Sequence, residues 1–157
     1  MQQDAHISND GKYRYCLSRI WDDTLPAVTF IGLNPSTGDA KKDDNTIRKC
    51  IAYAKHWGNG GLFVANLFAF IDTRQTQIWN ESDPIGPDND TWLENLAAKS
   101  PLVVAAWGNN GWRLDRSAVV CRLLPRLHCL KVNKSGEPHH TLYLSPTIKP
   151  QPYNRHG

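Results

Sequence analysis

Two asparagines and a serine stand where apolar runs of the chain end, a position typical of ligand sites. The run Ala27-Val-Thr-Phe-Ile31 leads directly into Gly32-Leu-Asn-Pro-Ser36, and the run Gly61-Leu-Phe-Val-Ala65 ends in Asn66. Amide side chains both donate and accept hydrogen bonds, and a hydroxyl does the same. If both runs are buried strands, these polar side chains lie at the carboxyl edge of a sheet, where open α/β folds bind their ligands.

The same residues also have a simpler interpretation as turn formers. Pro35 fixes φ, Gly32 lets the backbone bend, and Asn and Ser often cap turns. The motif lacks the glycine spacing of dinucleotide-binding and P-loop sequences. Ser36 stands in no Gly-x-Ser-x-Gly elbow and has no neighbouring His, so nothing indicates a nucleophile. From local chemistry alone, a ligand site and a plain turn both remain open.

Histidines and cysteines give no recognisable metal site. His139 and His140 are adjacent, and neighbours on an extended segment point to opposite faces. The four cysteines are scattered without a Cys-x-x-Cys pair, whereas zinc and iron–sulfur sites need paired thiolates. We therefore predict reduced thiols, no metal and no other cofactor. The cysteines are Cys16, Cys50, Cys121 and Cys129.

Basic side chains cluster where a helix is predicted to begin, shortly after the first motif. Lys41, Lys42 and Arg48 belong to this cluster. A solvated helix face explains them, and so does a phosphate site at a helix N-terminus. Asp43 or Asp44 is well placed to cap the same helix, since aspartate accepts from free backbone N–H groups there.

Length and composition favour one globular domain spanning residues 1–157. Charged residues make up 21% and hydrophobic residues 40% of the 157, which are ordinary globular values. A net charge of +3 permits a nucleic-acid partner without indicating one. The chain starts without a secretory signal pattern and has no apolar run of about 20 residues, so we expect a cytoplasmic protein without membrane spans.

Strand-like and helix-like segments alternate along the chain. This alternation predicts an α/β fold in which a mainly parallel central sheet is sandwiched between two helical layers. The polar ends, residues 1–10 and 147–157, are predicted to be loosely ordered tails, and residues 12–21 a half-exposed edge strand. The predicted strands are 27–31, 62–66, 102–107 and 127–132, and the predicted helices 44–57, 88–99 and 114–124.

Right-handed crossovers would place the loops that follow these parallel strands along one edge of the sheet. We therefore expect the candidate chemistry of the chain to lie at that edge. The loops are 32–43, 66–86, 107–112 and 133–146.

Several long strings identify a family. Nearly the whole chain, from Tyr13 to about Leu144, resembles the bacterial and phage family catalogued as domain of unknown function 1643. The matching strings are Leu17-Ser-Arg-Ile-Trp-Asp22, Phe30-Ile-Gly-Leu-Asn-Pro-Ser-Thr37, Asn66-Leu-Phe-Ala-Phe70, Asp83-Pro-Ile-Gly-Pro-Asp-Asn-Asp90 and Ala106-Trp-Gly-Asn109.

At a second level, the order of motifs is similar to the uracil-DNA glycosylase superfamily. Gly32-Leu-Asn-Pro-Ser36 resembles its first motif, and Gly61-Leu-Phe-Val-Ala-Asn66 resembles the strand whose last Asn reads the flipped base. Val103-Val-Ala-Ala-Trp-Gly108 resembles a later strand, and His140-Thr-Leu-Tyr-Leu144 occupies the place of the catalytic His loop. The resemblance implies that superfamily's fold, and a nucleic acid or a nucleotide as partner.

The same resemblance implies roles for the side chains. Asn34 would orient a water, His140 would donate to the departing base, and Asn66 with Ser36 would contact the base edge. Because an amide cannot take a proton, a carboxylate is also needed. Asp39, Asp43 and Asp44 lie near the first motif, and any of them could supply it. Helix capping explains Asp43 and Asp44, so Asp39 is the open choice. Phe68 or Phe70 would stack on the base.

Two functions from different classes follow. One is nucleobase recognition with hydrolysis of an N-glycosidic bond in DNA or a nucleotide. The other is a module that binds a nucleobase or nucleic acid without chemistry, which the missing acidic base favours.

Overall fold

The computed structural model describes residues 1–74 and 77–154, and the strands in these residues form one mixed sheet. Its order is β1-β2-β4-β3-β5-β6-β7. The strands are β1 Gln2–Ile7, β2 Arg14–Ile20, β3 Ala27–Gly32, β4 Gly61–Asn66, β5 Val103–Ala105, β6 His128–Cys129 and β7 Gln151–Pro152.

The centre of the sheet is parallel and its two sides are antiparallel. β4, β3, β5 and β6 run in one direction. β2 pairs antiparallel with β4, β1 with β2, and β7 with β6. The α/β class is therefore confirmed, but the prediction of a mainly parallel sheet is wrong. The extra strands come from the two ends of the chain, and each returns beside its neighbour in a direction that requires no helical crossover.

The first ten residues form a strand where a polar tail is predicted. β1 is polar and almost fully exposed, so its side chains carry no signal of burial. β1 is held in place by backbone pairing with β2. The turn between the two strands contains Gly11, which has a φ of 76° and donates its N–H to Ser8 O. Because β1 covers one side of β2, β2 is an interior strand rather than the predicted edge.

Helices cover both faces of the sheet. α1 Asn45–His56 packs on the face that carries Phe30 and Val64. α2 Asn89–Lys99 and α3 Arg116–Leu123 pack on the face that carries the adjacent residues Ile31 and Ala65. Two core clusters result because neighbouring residues of a strand point to opposite faces. No helix in the described ranges is long and apolar enough to cross a bilayer.

Two short 3-10 helices lie in the segments that follow β4 and β5. One 3-10 helix covers Ile78–Asn80 and another covers Asn109–Asp115, directly after β5. β5 ends at Ala105, earlier than predicted, although Ala106 N still donates to Ile31 O at 2.8 Å. The backbone beyond β5 thus leaves the ladder and enters the candidate site.

Candidate functional site at the carboxyl edge of the sheet

A cavity of about 360 Å³ opens at the carboxyl ends of β3 and β4, beside the first turns of α1. Asn34, Ser36, Asn66 and His140 all line it. Residues from three separate parts of the sequence therefore meet in one place. The segment after β5 completes the wall with Trp107 and its neighbours.

Asn66 is the last residue of β4 and lines the cavity. The side chain is 4% exposed, and Nδ2 has no hydrogen-bond partner among the described residues. A buried donor without an acceptor costs about 1–3 kcal/mol. A ligand that presents an acceptor to Asn66 would recover that free energy.

Gly32 is required by the position of Asn66. The two residues are paired across β3 and β4, and a Cβ at position 32 would lie 2.8 Å from Asn66 Oδ1. Only a residue without a side chain leaves the amide where it is. This close approach explains the glycine of the first motif better than a bend does, since Gly32 still belongs to β3 and pairs with Asn66.

We expect Gly32→Ala to weaken ligand binding roughly tenfold, because Asn66 must move to accommodate the new methyl group. The free energy of unfolding should change by about 1 kcal/mol or less, since the displaced atom ends a side chain. Gly38→Ala is the control, because its Cβ would meet the end of the Ile71 side chain at 3.2 Å. Titration calorimetry and urea unfolding measure both quantities. Equal affinities of Gly32→Ala and the wild type would contradict the assignment.

His140 is a neutral hydrogen-bond donor. Leu142 N donates to His140 Nδ1 at 3.2 Å, so in the neutral ring the proton is on Nε2. Burial lowers the pKa of His140, the charge of His139 lowers it further, and Asp44 acts in the opposite direction. At pH 7 the ring is therefore uncharged and its Nε2–H is free to donate into the cavity.

The pKa shift predicts a pH-dependent stability. The pKa of His140 is lower in the folded chain than the ordinary value of about 6.5, so the unfolded chain takes up the proton first as the pH falls. Its contribution to stability is complete above about pH 6.5 and is lost as the pH falls through the folded pKa. Thermal unfolding from pH 5 to 8 should show a steeper acid loss for the wild type than for His140→Gln. Parallel stability curves of the two proteins would rule out a contribution from the pKa shift of His140.

The segment that carries His140 is held from two sides. Tyr53 of α1 donates its hydroxyl to Thr141 O at 2.8 Å, with the ring fully buried. Trp107 Nε1 donates to Glu137 Oε1 at 3.1 Å, and Gly108 N donates to Pro138 O at 3.0 Å. These contacts fix His140 next to the end of β5.

Asp44 is the carboxylate of the cavity. Its Oδ1 accepts from Ile47 N at 2.9 Å, which confirms it as the cap of α1. Its Oδ2 accepts from Ser36 Oγ at 3.2 Å. Asn34 Nδ2 donates to Pro35 O at 3.2 Å, which leaves its Oδ1 to accept. A carboxylate, a hydroxyl and an amide oxygen thus share one wall.

Asp39 and the three basic residues lie outside this cavity. Asp39 is exposed, and its Oδ1 accepts from Lys41 N at 2.9 Å. Lys41 and Lys42 are exposed as well, and Arg48 donates to Asp43 O and to the Asn45 side chain. The basic cluster is therefore a solvated face of the loop and of α1.

Phe68 and Phe70 also lie away from the cavity. Phe68 is fully buried in the core, with its ring edge-on to Trp79 at 5.1 Å between centroids. Phe70 packs edge-on to Tyr13 at 6.3 Å. The aromatic lining comes instead from Phe30 and Trp107. The two phenylalanines differ from the prediction because their rings pack in the protein interior. Sequence periodicity alone does not distinguish a ring that packs in the interior from one that contacts a ligand.

Arg14 is a lining residue that sequence reasoning missed. It begins β2 and is 5% exposed, although alternation in its strand predicts a half-exposed position. Burial lowers the pKa of Arg14 to about 10, so it stays cationic at neutral pH. Only the pairing of β2 with β4 brings it to this cavity, and a single strand read in isolation contains no such signal.

The cysteines of the described residues form no disulfide with one another. Cys50 lines the cavity, but burial raises its pKa to about 12, so it is an uncharged thiol. Among residues 1–74 and 77–154, no three His, Cys, Asp or Glu side chains form a group able to hold a metal ion.

Comparison with known proteins identifies a family alone. No curated protein and no solved structure matches the chain. A family model described as "Protein of unknown function (DUF1643)" matches residues 14–142, which include every lining residue of the cavity. The chain therefore belongs to the DUF1643 family.

Proposed function

We propose that the cavity recognises a nucleobase of a nucleotide or of DNA and that the protein hydrolyses its N-glycosidic bond. The buried side chain of Asn66, a lining residue whose Nδ2 has no partner among the described residues, carries this proposal. An Asn side chain presents a donor and an acceptor side by side, the pattern that reads a base edge.

The size and lining of the cavity support a small, polar, aromatic ligand. A volume of about 360 Å³ lies at the low end of ordinary ligand pockets. Phe30 and Trp107 give it apolar walls, and Asn66 and His140 supply donors. A flat heterocycle with polar edges uses both kinds of surface.

The chemistry follows from four side chains that line the cavity. Asn34 Oδ1 accepts from a water that attacks the sugar carbon, and Asp44 Oδ2 takes the proton that the water releases. The bond between sugar and base breaks, and its electron pair leaves with the base. His140 Nε2–H and Asn66 Nδ2 then donate to the charge that develops on the base. Asp44 thus takes the role that the sequence alone favours for Asp39.

The fold supports the same proposal at a coarser level. We propose that the helices on both faces of the sheet form the three-layer arrangement of the uracil-DNA glycosylase superfamily. Three motifs that resemble this superfamily, around Asn34, Asn66 and His140, line one cavity. The mixed sheet is compatible with this, because the parallel centre contains the strands that end at the cavity.

The alternative is a binding module without chemistry. One observation favours it: both oxygens of Asp44 already accept hydrogen bonds, from Ile47 N and Ser36 Oγ. Both oxygens therefore already have a structural role. The binding part of the proposal is the same in both cases.

Two assays separate the alternatives. Titration calorimetry with a panel of free bases and nucleosides measures recognition, and a gel assay for abasic sites in oligonucleotides with modified or mismatched bases measures cleavage. Binding with cleavage supports the full proposal. Binding without cleavage of any substrate supports the module. Absence of both overturns the proposed function.

A further inference from the structure

Arg14 is a buried cation in the wall of the cavity, and it indicates a second feature of the ligand. The two salt bridges within residues 1–74 and 77–154 are Arg19 with Asp43 and Arg116 with Asp90. Arg14 takes part in neither, although it is 5% exposed. A buried cation is costly unless an anion and hydrogen-bond acceptors surround it. The cavity next to Arg14 is where such an anion can bind.

The hydrogen bonds of Arg14 leave donors unused. Nη1 donates to Thr37 O at 3.1 Å, while Nε is buried without a partner in the described residues. The nearby carboxylate of Asp44 accepts from Ile47 N and Ser36 Oγ rather than from the guanidinium. The planar fork of Arg14 is therefore available for a group with several acceptor oxygens.

Arg19, on the same strand, is a buried arginine that has a carboxylate partner, although its Nη2, like Arg14 Nε, has no partner among the described residues. It is fully buried, and its Nε donates to Asp43 Oδ1 at 2.9 Å while Nη1 donates to Ser18 O at 2.7 Å. Arg19 does not line the cavity. The difference between the two arginines is the missing carboxylate partner at Arg14 and its position in the cavity wall.

We propose that Arg14 binds a phosphate group of the ligand, so that the cavity takes a nucleoside monophosphate unit rather than a free base. This inference rests on the proposed function for the base, whereas the phosphate contact is a separate interaction. The phosphate belongs either to a free mononucleotide or to a phosphodiester of a single strand. The exposed residues Lys41, Lys42 and Arg48 do not line the cavity and are not needed for it.

Calorimetry with nucleosides, their monophosphates, inorganic phosphate and a short single-stranded oligonucleotide tests the proposal. We expect the monophosphate to bind roughly 10- to 100-fold more tightly than its nucleoside, as a charge-assisted contact implies. Arg14→Gln should remove this difference, and Arg14→Lys should keep part of it. Arg48→Gln removes a charge outside the cavity and should leave the difference unchanged. A gain with the mononucleotide identifies a terminal phosphate as the preferred source, and a gain with the oligonucleotide alone identifies a phosphodiester.

The outcomes distinguish failure of this inference from failure of the proposed function. Nucleosides that bind as tightly as their monophosphates to the wild type would overturn the phosphate contact and leave base recognition standing. Inorganic phosphate that binds through Arg14, while no base or nucleoside binds, would support the contact and overturn base recognition. If Arg14→Gln does not fold, the wild-type affinity ratio and the Arg14→Lys variant decide the question.

Discussion

Replacing Asn66 by Ala lowers the affinity for the base roughly 5- to 150-fold, without lowering the stability of the free protein. The loss of affinity corresponds to about 1–3 kcal/mol, the cost of a polar edge left without its partner. Stability is maintained because Asn66 Nδ2 has no partner to lose among the described residues. Calorimetry gives the affinity, and urea unfolding gives the free energy of unfolding.

Asn89→Ala is the matched control, since the Nδ2 of Asn89 has the hydrogen-bond partners that the Nδ2 of Asn66 lacks among the described residues. It is fully buried, and its Nδ2 donates to Asn66 O at 2.9 Å and to Leu67 O at 3.0 Å. Its removal should cost about 1–3 kcal/mol of stability. A destabilised Asn66→Ala protein with unchanged base affinity would show that Asn66 has a structural role alone.

Replacing Asp44 by Asn lowers the rate of N-glycosidic cleavage roughly 10²- to 10⁴-fold, the usual contribution of a general base. The fold is retained because asparagine caps a helix about as well as aspartate does, so the bond from Ile47 N survives. The amide cannot accept the proton from the attacking water. Single-turnover kinetics on an oligonucleotide or nucleotide substrate measures the rate.

Asp39→Asn provides the comparison for Asp44→Asn. It makes the same chemical change on the same loop, but Asp39 is exposed and does not line the cavity. Its rate should equal that of the wild type. Equal rates of Asp44→Asn and the wild type would mean that a group other than Asp44 accepts the proton of the attacking water.

Much of the sheet's centre was predictable because burial leaves a strong pattern. The apolar runs of β3 and β4 and the helical spacing in α1 predict their elements to within a few residues. The sequence predicts Asp43 or Asp44 as the cap of α1, and the structure shows that it is Asp44. The contact of its second oxygen with Ser36 in the cavity wall is not predictable from the sequence. A sequence shows which residues can cap a helix and gives no indication of what else the same carboxylate contacts.

The outer strands of the sheet and the position of Arg14 depend on long-range strand pairing, which local sequence patterns do not contain. β1 is exposed on both faces and is ordered by its neighbour, so its sequence resembles a tail. Arg14 reaches the cavity because β2 inserts beside β4, and this insertion also makes the sheet mixed. Phe68 is an error in the opposite direction. The resemblance implies that it stacks on the base, but the structure places it in the core.

The most direct test of base recognition is a crystal structure of the protein soaked with the base or nucleotide that binds best. We expect the base in the cavity between Asn66 and His140, with one of its acceptor atoms about 2.7–3.2 Å from Asn66 Nδ2. A base bound elsewhere on the protein, or in the cavity with the Asn66 amide still unpaired, would contradict the account.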